Sequence, residues 1–184
     1  MGAENEIKDL LTKSVVDWTE RQANRNSTRR LLSAVTLGRL AEAKEIIKEG
    51  VNINAEDVDG QTALLVAAES GKDDTVKFLI DNGADVNRQD KEGESALWRG
   101  ARYGHDGVVR LLLASGARFD IPDHSGQTAL SAAAQAGETS VVSILMKHGA
   151  DVNSETIYGK TALSFAAQGG YYDVVSMLIT SGAD

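Results

Sequence analysis

The sequence predicts an all-α-dominated repeat solenoid: stacked helix–turn–helix units joined by β-hairpin or turn fingers, with a capping helix at the N-terminus. Three observations carry this expectation. "GQTAL" begins at Gly60 and Gly126, "GESAL" at Gly93 and "GKTAL" at Gly159, so each step is 33 residues. In the same phase, "NGADVN", "SGARFD" and "HGADVN" begin at Asn82, Ser115 and His148. Between these marks every unit pairs an alanine-rich stretch with an apolar stripe, and two such short helices bury a core only by stacking on their neighbours.

Residues 1–23 form the first element. Over residues 4 to 22, Ile7, Leu10, Leu11, Val15 and Trp18 recur on one helical face. Such a helix is expected to cover the open end of the array, since repeat stacks need shielded ends. Lying free, it would instead be a partner-binding helix. The repeat domain then runs from residue 24 to 184, with units at 24–56, 57–89, 90–122, 123–155 and 156–184. The first unit is faint, but Leu31 aligns with Leu64, Gly38 with Gly71 and Gly50 with Gly83.

In the four later units a hydroxyl stands where a helix begins: Thr62, Ser95, Thr128 and Thr161. Such a side chain accepts a bond from an otherwise orphaned backbone N–H of the first turn. Gly71, Gly104, Gly137 and Gly170 end those first helices, and Gly83, Gly116, Gly149 and Gly182 end the second. The second helices carry the apolar stripe, as in Val76, Leu79 and Ile80. Stretches rich in Asp, Asn and Gly join one unit to the next as tight turns or hairpins.

The motifs D-x-x-G-x-T-A-L-x-x-A-A-x-x-G and V-x-x-L-L-x-x-G-A-D-V-N, read from roughly Asn24 to Asp184, resemble the ankyrin repeat. The family's commoner "TPLH" is absent, with Leu65, Trp98, Ser131 and Ser164 in the histidine slot. The resemblance implies a protein-interaction module that holds a protein or peptide on a concave face made of finger tips and first helices. The last unit is four residues short of a full period, and its second helix keeps Val175, Met177 and Ile179 without a polar outer face. The natural protein is therefore expected to continue beyond Asp184, and an open C-terminal face of this kind is able to self-associate.

Composition narrows the chemistry. The chain has 19 Lys and Arg against 27 Asp and Glu, a formal charge of −8, which argues against general nucleic-acid binding. It has no cysteine, so thiolate catalysis and cysteine zinc sites are excluded. No apolar run reaches the roughly 20 residues of a membrane span, and the start "MGAENEIKDLL" lacks a secretory layout. The expected location is cytoplasmic or nuclear. His105, His124 and His148 fall in different slots, and the aspartates recur with the repeat as turn residues, so no catalytic, metal or cofactor site is expected.

One stretch departs from the repeat. "SALWRGARYG", residues 95 to 104, gathers Trp98, Arg99, Arg102 and Tyr103, types that concentrate binding energy at interfaces. Arg99 replaces Val66, Ala132 and Phe165 of the other units. Spaced four apart, Trp98 with Arg102 and Arg99 with Tyr103 are expected to stack along the helix. The resemblance places partner contacts at Arg102 and Tyr103 of this stretch and at Glu69, Lys91, Glu92, Glu94, His124, Gln127, Gln135, Ile157 and Tyr158, while Trp98 and Arg99 join them by residue type alone. With two arginines at the centre, the partner is expected to offer acidic residues. A competing reading packs Trp98 between units and bonds the arginines to carboxylates such as Glu69. Two other functions fit the same residues: a small-ligand or nucleotide sensor with Trp98 stacked on a base, and a structural spacer.

Overall fold

In unit 1 the residues that should turn the chain are missing, and the structure shows the result. The computed structural model describes the backbone of residues 2–184 and the side chains of residues 13–19 and 22–184. Its first element, α1, is one continuous helix, Gly2–Thr36. The expected boundary between residues 23 and 24 therefore lies inside a helix. The reason is local. In the next unit Asp57 Oδ1 accepts the N–H groups of Asp59 and Gln61 at 2.9 and 3.0 Å, Gly60 turns with φ +79°, and Thr62 caps the following helix. The aligned residues in unit 1 are Asn24, Ser27 and Arg29: no glycine for the turn and no hydroxyl for the cap, so the helix runs on. Ile7, Leu10 and Leu11 lie outside the described side chains, whereas Val15 and Trp18 are exposed.

The other helices keep the 33-residue register. They are α2 (Leu40–Lys48), α3 (Ala63–Glu69), α4 (Asp73–Asp81), α5 (Ala96–Arg102), α6 (Asp106–Ala114), α7 (Ala129–Ala136), α8 (Thr139–Lys147), α9 (Ala162–Gly169) and α10 (Tyr172–Thr180). Thr62, Ser95, Thr128 and Thr161 each accept the N–H three residues on, as their spacing predicts. Helices α1, α3, α5, α7 and α9 stack in succession, as do α4, α6, α8 and α10, and each odd-numbered helix packs on the even-numbered helix that follows it.

The core follows from the same period. Leu31, Leu64, Leu97 and Leu130 of the first helices are buried, as are Ile46, Leu79, Leu112, Leu145 and Leu178 of the second. Burying each such side chain favours the fold by roughly 1.5–3 kcal/mol. Between the first helices the small Ala34, Ala67, Ala133 and Ala166 let the layers close up, with Gly100 in the same slot of α5.

The fingers are turns rather than β-hairpins: among the described residues the single bridge is Gln89 with Ser95. Main-chain bonds tie each tip to the next, with Lys91 N–H donating to Asp59 O, His124 to Glu92 O and Ile157 to Ser125 O, at 3.1, 3.0 and 2.9 Å. Gly126 makes this closeness feasible, because its φ is +83° and an added Cβ would lie 2.8 Å from the Ile157 nitrogen. On the opposite edge, side-chain amides stitch the units. Asn54 Nδ2 donates to Gly83 O and its Oδ1 accepts from Asp85 N–H, and Asn87 and Asn153 repeat both bonds one unit further on. Asp120 stands in the third of these four places and pairs with Arg118 instead.

Candidate recognition surface

In unit 3 the finger 90–94 bends back over α5. Asp90 Oδ1 accepts the N–H groups of Glu92 and Glu94, both at 2.9 Å, which fixes the tip. Asp90 Oδ2 is then left facing α5, where Arg99 donates to it through Nη2 at 2.6 Å. The same guanidinium donates through Nε to Glu94 Oε2 at 3.0 Å, and through Nη1 to Glu69 Oε2, from the end of α3, at 2.7 Å. Arg99 is 5% exposed. Its planar fork thus joins a finger and two consecutive first helices, a geometry that an ammonium cannot copy.

Three carboxylates surround one cation here, so the cluster carries local negative charge when all are ionised. Burial pushes the Glu94 carboxyl above its usual range; the Arg99 charge opposes this and the neighbouring Asp90 charge adds to it. Arg99 was expected to face a partner. It is instead buried and fully engaged inside the protein, as the competing reading had it.

Trp98 is also enclosed, at 7% exposure, and its Nε1 has no hydrogen-bond partner. Its ring faces are therefore not offered to a planar ligand, which removes the stacking surface that the nucleotide-sensor reading requires. Neither expected cation–π pair forms. Tyr103 stacks on His105, with ring centroids 6.4 Å apart and 21° between planes, while His105 Nε2 lies 2.9 Å from Glu69 O.

Arg102 and Tyr103 remain accessible. In units 4 and 5 a side chain at the finger bonds the first helix eight residues on: Gln127 Nε2 donates to Gln135 Oε1 at 2.9 Å, and Lys160 Nζ to Gln168 Oε1 at 3.3 Å. In unit 3 the equivalent pair is Glu94 and Arg102, but Glu94 is taken by Arg99. Arg102 is consequently half-buried with no hydrogen bond or ion pair among the described residues, next to a Tyr103 that is 53% exposed. No feature of the Arg102 slot taken alone signals this; the strut eight residues apart and its capture by Arg99 do.

The remaining expected contacts divide. Lys91, Glu92, His124, Gln135, Ile157 and Tyr158 are exposed, and Glu69 and Glu94 are half-buried. Gln127 is buried in its strut rather than offered at the tip. Among the described residues, no group of His, Asp and Glu is arranged to hold a metal ion, and no helix is long and apolar enough to cross a membrane.

A family model for ankyrin repeats, in three copies, matches residues 31–123 and 112–184. The chain belongs to the ankyrin-repeat family. Comparison with curated proteins gives no match. Ankyrin repeats are generally non-catalytic modules for protein–protein interaction, and the exposed tips and first helices of this ankyrin array are the surfaces its stacking leaves open.

Proposed function

We propose that this ankyrin array is a non-catalytic, cytoplasmic interaction module, holding a protein or peptide on its concave face with Arg102 and Tyr103 at the centre. The observation that carries the reading is Arg102: a cation freed from its own strut, on a rigid helix, beside an exposed aromatic ring. A partner carboxylate is its natural complement, and a bidentate Arg–carboxylate pair gives both energy and orientation. The exposed tips Lys91, Glu92, His124, Ile157 and Tyr158 extend the contact along the array. Arg99 and Trp98 support this surface from beneath, and Arg99 acts as a positioning residue for α5 and its finger. Because the stack is preorganised, little ordering entropy opposes binding.

The test is affinity capture of partners from cytosol by the wild-type chain and by Arg102→Ala/Tyr103→Ala, both checked for retained fold. A specific partner lost in the variant supports the reading. A partner set unchanged by the double substitution overturns it.

A further inference from the structure

The uninterrupted α1 borders a groove at the start of the array. Where a first finger would have turned, the helix continues and faces the finger 56–61 of unit 2 across a groove of about 700 Å³. One wall is a stripe of α1 that includes Arg25, Arg29 and Leu32; the other includes Glu56, Asp57 and Val58. Arg25 and Arg29 are four apart, so they share a helix face. Both are exposed, with no hydrogen bond or ion pair among the described residues.

The acidic residues of the opposite wall are already employed. Glu56 is paired with Arg88, and Asp57 Oδ1 accepts two backbone N–H groups that hold the finger tip. Counted with Arg88, three guanidinium groups stand against the two carboxylates Glu56 and Asp57, so the groove keeps a net positive charge, and its two unpaired cations are Arg25 and Arg29 on one face of α1. Each can take a carboxylate in a bidentate pair. Val58, which is exposed, and Leu32 add apolar surface between the charged positions.

We infer that this groove binds an acidic peptide segment of a protein partner, with two carboxylates on Arg25 and Arg29 and an apolar side chain against Val58 and Leu32. The volume lies within the range of about 300–1,000 Å³ typical of built ligand sites. Charge complementarity selects the occupant: a basic segment meets two unpaired arginines, whereas an acidic one neutralises them. The site lies between units 1 and 2, is lined by neither Arg102 nor Tyr103 of unit 3, and does not depend on that surface.

The experiment is selection of peptides from a randomised phage-displayed library on the wild-type chain, followed by titration of the enriched peptides. The expected peptides are rich in Asp and Glu, bind more weakly at high salt, and lose at least about tenfold in affinity, roughly 1.4 kcal/mol, with Arg25→Ala/Arg29→Ala. They bind Arg102→Ala/Tyr103→Ala as they do the wild type, which separates this groove from the central surface. Alanine is a strong helix former, so α1 is retained, and far-UV circular dichroism checks this. Enriched peptides without acidic residues, or equal affinity for the Arg25→Ala/Arg29→Ala variant, overturn the inference. So does full competition by inorganic phosphate or by single-stranded DNA at concentrations comparable to the peptide, since the site would then be a general anion site.

Discussion

Glu94 gives its carboxylate to Arg99 and not to Arg102, the partner that the finger-to-helix strut of units 4 and 5 selects. One substitution within the repeat thus does two things. It builds a buried junction between units 2 and 3, and it leaves a cation exposed on the face of unit 3.

These two arginines are expected to differ sharply when removed. Arg99→Ala leaves the buried Asp90 carboxylate uncompensated, at a cost of about 3–5 kcal/mol. Arg99→Lys is expected to recover little of that, since one ammonium cannot span three carboxylates. Arg102→Ala is expected to stay within about 0.5 kcal/mol of wild type. Urea denaturation of the three variants checks all three values.

The raised pKa of Glu94 has a definite sign. A carboxyl that holds its proton more tightly in the fold than in the unfolded chain favours the fold below the unfolded value, about 4.3 for Glu. That contribution is lost as pH rises through the folded value. Glu94→Gln keeps an oxygen for Arg99 Nε but cannot ionise. Its stability relative to wild type is therefore expected to improve as pH rises from the unfolded Glu range through the folded value of Glu94. Urea denaturation across a pH series reads the difference, and a constant offset between the two proteins would count against it.

At the opposite edge, Asp120→Asn is expected to restore the missing amide stitch to Gly149 O and Asp151 N–H. A hydrogen bond contributes about 0.5–1.5 kcal/mol, while the exposed Arg118–Asp120 pair lost in exchange is worth little. Thermal unfolding should shift upward in the variant.

Gly126→Ala tests the finger seam. A non-glycine residue in the left-handed region costs about 1–2 kcal/mol, and the added Cβ would also press on the Ile157 backbone nitrogen. A lowered denaturation midpoint is expected, with hydrogen exchange accelerated at the amide of Ile157.

Much of this was legible in the residues. The helices of units 2–5 follow from capping hydroxyls and glycines at fixed intervals, because those residues act locally. The continuity of α1 follows equally from Ser27 and Arg29 in the turn and cap slots, once they are compared with Gly60 and Thr62. Arg99 stood out by its slot, yet its role depends on Glu69, 30 residues earlier, and on how far the 90–94 finger folds back. No helical periodicity carries that information. The buried Gln127 shows the same limit, since its exposure is set by whether Gln135 lies within reach.

The bonds that chain the finger tips together run from backbone N–H to backbone C=O, and no tip side chain takes part in them. The positions of Lys91, His124 and Ile157 are thus held by bonds that any residue with a backbone N–H can make. The ridge behaves as a socket strip: its spacing is set by the main chain, and its specificity can be rewritten one tip at a time, by mutation or by descent, without refolding the array beneath.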